Sequence, residues 1–138
     1  MGVQVTGLDE LIERLEKLSD QSRVEEIAKK AVEAATPTAV SAVKSAVRAS
    51  EYGPYATGSV ADSITATPAK INNFGVFAVA KPTGHDRKGR SNVYKATLLE
   101  YGNSKIGARP WREKARAAGE PTCLKIMEQV IKSEMDAD

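Results

Sequence analysis

The chain has 138 residues, 41% hydrophobic and only 5% aromatic, with a formal net charge of +2. We expect one domain over residues 1–138, and so small a charge argues against a protein devoted to nucleic-acid binding. The single cysteine excludes an internal disulfide, and the absence of a signal pattern or of a bilayer-length apolar run predicts a soluble protein made in the cytoplasm, without a membrane contact.

The charge is unevenly distributed along the sequence. Residues 1–35 hold five basic and eight acidic residues, residues 70–118 hold eleven and three, and residues 119–138 hold two and five. Charged helices in solvent would explain this pattern. So would electrostatic matching between neighbouring copies in a ring, in which the basic middle of one copy meets the acidic end of the next.

Helical periodicity dominates the first third of the chain. A short extended lead at residues 3–7 precedes an apolar stripe typical of an amphipathic helix, formed by Leu8, Leu11, Ile12, Leu15 and Leu18. A second helical pattern starts near Ser22 and continues to Val47. Pro37 either kinks one long helix or begins a new one after a Thr36 cap. We favour one kinked helix, because the apolar phase survives the proline.

The middle of the chain predicts a β-hairpin. Residues 50–58 contain two glycines and a proline and indicate a loop. Strands are predicted at 63–67 and 74–80, joined by a turn at 70–73. The second strand is nearly all apolar, so we expect it to be central in its sheet. The polar stretch 81–92 predicts a mobile loop.

The rest of the chain favours helices. Residues 93–101 predict a strand or a short helix, and 102–109 a loop. Pro110 suits the first position of a helix that ends near Ala118, and Gly119–Pro121 predicts a break before a last helix up to Met135. The order predicts an α+β fold, in which the long kinked N-terminal helix and the C-terminal helices pack on a small antiparallel β-sheet.

Residues able to support catalysis are scarce. His85 is the only histidine, and Cys123 is the only cysteine. Two such residues cannot form the usual zinc sites, and the glycines near residues 84–89 lack the lysine, strand and helix of a phosphate loop. Cys123 and His85 could form a nucleophile pair of an unrecognised hydrolase, but nothing in the sequence orients them, and Cys123 is expected to be buried. We therefore predict no enzyme, no cofactor and no metal.

Two carboxylates stand near the glycine motifs. Asp62 is expected to close a turn or to cap a helix. Glu100 stands in an apolar setting, where it could titrate. A structural role is favoured, either in a salt bridge with Arg109 or Lys95 or as an acceptor for backbone groups.

Basic and aromatic residues occur together between residues 87 and 116. Such a combination can bind single strands through charge and stacking, although Trp111 could equally anchor a helix in the core. The basic candidates for an interface or a DNA channel are Arg87, Lys88, Arg90, Arg112, Lys114 and Arg116.

Two motifs resemble those of the minor tail, neck and tail-completion proteins of long-tailed bacteriophages and prophages. The first runs from Thr57-Gly58 to Ser63-Ile64. The second comprises Leu99-Glu100-Tyr101-Gly102, followed by Ala108-Arg109-Pro110-Trp111 and Ala115. The opening Val5–Leu11 and Lys44 are also similar to the family pattern. Asn103 and Trp111 depart from it, since threonine and phenylalanine are more usual there, and residues 50–56 lack the usual proline-led approach.

The resemblance implies a structural virion protein that completes the tail and supports head–tail joining. Copies would form a ring around the channel for phage DNA, with six as the number suggested by tail symmetry, and would contact connector and tail proteins. The glycines Gly58 and Gly102 would permit sharp reversals at both ends of the sheet. A small nucleic-acid-binding module that uses residues 81–116 is the alternative.

Overall fold

The computed structural model describes residues 21–51, 57–73 and 75–136. Within them the fold is α+β, as predicted. The helices are α1 (Gln21–Ser50), α2 (Ser59–Asp62), α3 (Asn92–Tyr101) and α4 (Arg112–Asp136), and the strands are β1 (Thr65–Ala66), β2 (Lys70–Asn72), β3 (Gly75–Phe77) and β4 (Ala80–Lys81). The predicted lead and first helix at residues 3–18, and most of the loop at 50–58, lie outside the described residues.

Helix α1 is a single helix of 30 residues that passes through Pro37, and at 1.5 Å per residue it is about 45 Å long. The prediction of one long helix is therefore confirmed. Its inward face follows the predicted period, with Ile27, Ala31, Val43 and Val47 wholly buried. Tertiary packing along this continuous face offsets the hydrogen bond that the proline cannot make.

Helix α4 corrects the prediction of two C-terminal helices. It runs without a break from Arg112 through Gly119 and Pro121 to Asp136. Gly119 is buried against α1, and a Cβ added there would lie 2.9 Å from the Cβ of Ala42. Glycine at this position thus permits a close approach of two helices, and the packing outweighs its low helix propensity.

The predicted hairpin is present, but its turn is shorter than expected. Strand β2 lies in the stretch predicted as the turn and pairs with β3. Strands β1 and β4 pair further from the tip of the hairpin. The predicted turn at 70–73 is therefore wrong over Lys70–Asn72, because the period-two pairing extends almost to the tip. Strand β3 has one pairing neighbour among the described residues and is only partly buried, so the prediction of a central strand was also wrong.

The remaining segments settle the alternatives left by the sequence. Residues 59–62 are helical before the strand at Thr65, which shortens the predicted strand at its beginning. Residues 92–101 are a helix, and 102–109 are a loop. The polar segment 81–92 contains a turn closed by a bridge between His85 and Ser91. Its predicted mobility stays a prediction.

Two buried clusters hold these elements together. The helix-pair cluster joins the first half of α1 to the second half of α4, so the two helices are antiparallel; its members are Val24, Ile27, Ala31, Ala35, Cys123, Met127 and Ile131. The tryptophan cluster joins the other ends of the same helices to α2, α3 and the hairpin; its members are Val43, Val47, Val60, Ala61, Ile64, Ala80, Ala96, Trp111 and Ala115.

Candidate interaction site

Glu100 connects the end of α3 to the start of α4. Its Oε2 accepts hydrogen bonds from the backbone N–H of Trp111 at 2.8 Å and of Arg112 at 3.1 Å. The first backbone N–H groups of a helix have no partner within the helix, and a carboxylate there also interacts favourably with the helix dipole. The interpretation of Glu100 as a backbone acceptor is confirmed. Lys95, one of its two proposed partners, instead pairs with Asp86.

Trp111 anchors the same junction in the core. Its side chain is fully buried, and its indole Nε1 donates to the carbonyl of Ala96 at 3.0 Å. The ring thereby joins the start of α4 to the middle of α3 while its single polar group is satisfied. This confirms the anchoring interpretation and removes Trp111 from the aromatic residues that could stack on a nucleic acid.

Gly102 determines how the chain leaves α3. Its φ is 71° and its ψ −176°, and an added Cβ would lie 2.7 Å from the backbone nitrogen of Ala108. Only glycine fits both the conformation and the space. The loop then folds back, and the N–H of Arg109 donates to the carbonyl of Leu99 at 2.6 Å. The turn is supported by Asn103, whose Oδ1 accepts from the N–H groups of Lys105 and Ile106.

The first motif builds a second reversal, and it leads into α2 rather than directly into the sheet. Gly58 has a φ of 79° and precedes α2, and Thr57 Oγ1 accepts from the N–H of Ser59 at 3.4 Å. Ile64 is buried in the tryptophan cluster. Ser63 joins this motif to the polar segment, because its carbonyl accepts from Thr83 Oγ1 at 2.8 Å.

The sequence reasoning missed a polar network beneath the start of α3. Asn92 is 3% exposed; its Nδ2 donates to the carbonyl of Thr83 at 2.8 Å, and its Oδ1 accepts from Ser59 Oγ at 3.2 Å. Lys95 Nζ donates to Ser59 Oγ at 2.9 Å and to Asp86 Oδ2 at 3.2 Å. The signal available in the sequence was Ser91, whose Oγ caps α3 by accepting from the N–H of Tyr94.

Asp86 organises the basic turn, which comprises residues 86–90. One of its oxygens accepts from the backbone N–H groups of Lys88 and Arg90, each at 2.9 Å. The hydrogen bond from the backbone N–H of Arg90 has the largest effect and lowers the pKa of Asp86 below its ordinary value of 3.8. Burial opposes this shift, and hydrogen bonds from the Lys95 side chain and the Lys88 backbone add to it. The side chains of Arg87, Lys88 and Arg90 are exposed on this turn.

The other predicted basic candidates differ in their surroundings. Arg116 forms ion pairs within α4 with Glu113 and with Glu120 at 3.1 Å, so its charge is compensated locally. The hydrogen bond from Arg116 lowers the pKa of Glu113. Arg112 Nη1 donates to the Tyr101 hydroxyl at 3.4 Å, and Lys114 is exposed on α4. Arg109 Nη1 donates to the Ser50 carbonyl.

The candidate nucleophile pair is not formed. Cys123 is fully buried in the helix-pair cluster, where its Sγ donates to the carbonyl of Ala35 at 3.6 Å and burial raises its thiol pKa. His85 is exposed on the polar segment. Within the described residues, no three side chains of the His, Cys, Asp and Glu types come together in a way that could hold a metal ion.

An exposed strip of aromatic and apolar side chains on α3 was also missed. Tyr94 and Tyr101 are seven residues apart, hence on one side of the helix, and are 62% and 64% exposed. Val93 and, in the following loop, Ile106 are 43% and 39% exposed. We call the three residues on α3, Val93, Tyr94 and Tyr101, the tyrosine strip.

In the part of the chain that the structure describes, no helix could span a membrane.

Comparison with models of known protein families gives a match over most of the chain. The family described as "Bacteriophage HK97-gp10, putative tail-component" matches residues 9–102, more than half of the chain. The matched range contains Thr57–Ile64 and Leu99–Gly102 and ends before Pro110–Trp111. No curated protein and no solved structure matches the chain. The chain therefore belongs to the HK97-gp10-like family of bacteriophage tail components.

Proposed function

We propose that the chain is a structural virion protein of a tailed phage or prophage that completes the tail and supports head–tail joining. The observation that carries this proposal is the family match over residues 9–102. Copies would assemble as a ring, six being the number suggested by analogy with tail symmetry. The ring would lie at the head-proximal tail end or the neck and contact connector and tail proteins. The subunit would reach this place from the cytoplasm of the bacterial host.

The contacts of the motif residues support an architectural role over a catalytic one. The carboxylate of Glu100 accepts hydrogen bonds from the backbone at the start of α4, Trp111 is fully buried, and Gly102 permits a tight reversal. A general acid or base must instead lie within hydrogen-bonding distance of the substrate group with which it exchanges a proton. We therefore propose that the protein has no enzymatic activity, and that the motifs hold α3, α4 and the basic turn in a fixed arrangement.

The basic turn, together with Arg112, Lys114 and Arg116, would contact a neighbouring subunit or make a passive contact with phage DNA in the channel. A nucleic-acid-binding module is the second candidate function, supported by Arg87, Lys88 and Arg90 exposed near the tyrosines of α3. Binding of the isolated chain to duplex or single-stranded DNA that weakens steeply with salt would favour that candidate. The structural role predicts only weak binding in the same assay.

Inactivation of the gene in the parent phage tests the main proposal. We expect lysates that contain separate heads and separate tails by electron microscopy, and restoration of joined particles when the wild-type chain is supplied from a plasmid. A Cys123→Ala chain should complement as well as wild type, because the thiol has no chemical role. Normal yields of joined, infectious particles from the inactivated phage would rule the proposal out.

A further inference from the structure

The tyrosine strip contributes little buried surface to the core of the fold. Tyr94 and Tyr101 expose more than three-fifths of their surface, whereas Ala96, on the opposite side of α3, is wholly buried in the tryptophan cluster. Tyrosines outside a core are typical of protein interfaces, since a rigid ring offers a large contact area at a low entropic cost. The strip is thus a candidate for a contact with another chain.

The surroundings of the strip are basic. Arg87, Lys88 and Arg90 are exposed just before the N-terminus of α3, and Arg112 reaches the hydroxyl of Tyr101 at its other end. The two acidic residues between 70 and 112 are both engaged internally. Asp86 accepts hydrogen bonds from its own turn and from Lys95, and Glu100 caps α4. The strip therefore suits a segment that is both apolar and acidic.

The chain itself contains a segment of this composition. Residues 8–18 have an apolar stripe at helical spacing, beginning with Leu8 and Leu11 and ending with Leu18, and they hold four acidic and two basic residues. They lie outside the described residues, and two residues separate them from the start of α1. A helix that binds a groove or an exposed strip through such a stripe is a common mode of recognition.

Geometry favours a segment from another copy. The start of α1 is separated from the tryptophan cluster, to which Ala96 of α3 belongs, by the length of helix from Gln21 to Val43, about 33 Å. A helix that folds back from Gln21 would place the stripe residue furthest from it, Leu8, about 20 Å away. In helical form the stripe therefore falls short of the tyrosine strip of its own copy.

We propose that residues 8–18 of one copy dock as an amphipathic helix on the tyrosine strip of a second copy, next to its basic turn. This rests on the self-assembly proposed above and names the two surfaces that make the contact. Leu11 and Leu15 would meet the tyrosine rings, and the acidic residues of the segment would face Arg87, Lys88 and Arg90. Repetition of this head-to-tail contact closes a ring when the rotation between copies permits.

Site-specific photocrosslinking of the full chain tests the contact. A photoreactive phenylalanine derivative replaces Tyr94 in unlabelled protein, which is mixed with nitrogen-15-labelled chain at concentrations rising to about 1 mM. We expect crosslinks from position 94 to residues 8–18 of the labelled copy, reduced at least tenfold when that copy carries Leu11→Asp and Leu15→Asp. The same probe at Thr122, exposed on α4 away from the strip, is the matched control and should not give this crosslink.

Each other result overturns the proposal. Crosslinks within one copy, crosslinks to another segment of the second copy, or no crosslink between copies up to the highest concentration would all contradict it. Added duplex DNA that captures the probe while the chain-to-chain crosslink stays absent would assign the strip to nucleic acid. The phage complementation experiment distinguishes this contact from the proposed function. If joined particles require the chain but form normally with Leu11→Asp and Leu15→Asp, only the contact is contradicted.

Discussion

The tryptophan cluster and the helix-pair cluster lie at opposite ends of the same two helices, yet they are built in different ways. The helix-pair cluster consists of regular faces of α1 and α4 with small and aliphatic side chains. The tryptophan cluster draws on α1, α2, α3, α4 and the hairpin. Glu100, Gly102 and the buried Asn92 network lie next to this cluster. Glu100 and Asn92 form hydrogen bonds with particular backbone groups, and Gly102 lies close to the backbone of residues 106–108.

This difference between the two clusters indicates at which positions the local geometry restricts the choice of amino acid. A regular helix face tolerates many aliphatic combinations, provided that volume and pattern are kept. A junction of five segments needs particular residues, because a glycine in the left-handed region or a buried indole N–H has few substitutes. The two motifs that resemble those of phage tail proteins both lie at the tryptophan cluster, and the candidate interaction surfaces border it.

The largest effect is expected at Trp111. Trp111→Ala removes the largest buried side chain and one hydrogen bond, and should lower the free energy of unfolding by about 3–5 kcal/mol. Urea unfolding followed by far-UV circular dichroism measures it. Trp111→Phe keeps most of the volume but removes the indole N–H that donates to the carbonyl of Ala96, and should cost about 1–3 kcal/mol. A loss below 1 kcal/mol for the alanine variant would show that the junction is not packed as described.

Gly102 should come next. Gly102→Ala forces a left-handed φ on alanine and drives its Cβ against the backbone of residues 106–108, so we expect a loss of about 2–4 kcal/mol. Gly107→Ala is the matched control in the same loop, since nothing lies within 4 Å of its added Cβ and its φ is not positive. Equal losses for the two variants in thermal or urea unfolding would contradict the tight reversal at Gly102.

Gly119 tests the helix pair. Gly119→Ala gains about 1 kcal/mol of helix propensity but overpacks against Ala42, a cost of about 1–3 kcal/mol. We therefore expect a net loss of about 1 kcal/mol. Ala42→Gly, combined with Gly119→Ala, should recover stability beyond the sum of the single effects, as measured in a double-mutant cycle. Simple additivity would show that the helices do not approach closely at these residues.

The smallest effect concerns pH and Asp86. Its pKa is lower in the folded chain than its ordinary 3.8, so its contribution to stability is present above that pH and is lost as the pH falls through the folded pKa. The difference in unfolding free energy between wild type and Asp86→Asn should therefore shrink below pH 3.8. Asp136→Asn, at an exposed position near the end of α4, is the control. A difference that stays constant with pH would contradict the role of the charge.

Much of the regular part of the fold could be predicted from sequence, and the irregular part could not. The apolar period identified α1 across Pro37, because a proline removes one hydrogen bond whereas the stripe buries side chains along the whole helix. The same reasoning failed at Gly119 and Pro121, since the partner that makes glycine favourable, Ala42, is distant in sequence. The shorter turn of the hairpin was missed because Lys70–Asn72 is exposed throughout and lacks an apolar alternation.

The candidate site was predictable only where its signal was local. For Glu100 and Trp111, the adjacent sequence allowed a short set of alternative roles to be stated. The observed contacts show that Glu100 is a backbone acceptor and that Trp111 is a core anchor. The network of Ser59, Asn92, Lys95 and Asp86 joins two segments that are far apart in sequence. The tyrosine strip depended on which side of α3 faces the core, and the sequence had left even the choice between strand and helix open.

Cryo-electron microscopy of purified particles of the parent phage tests the central claim most directly. The account predicts a closed ring of this chain at the head-proximal end of the tail, with the fold of α1 to α4 recognisable in each copy and the tyrosine strip covered by a neighbour. Intact, joined particles that contain no copy of the chain would contradict it.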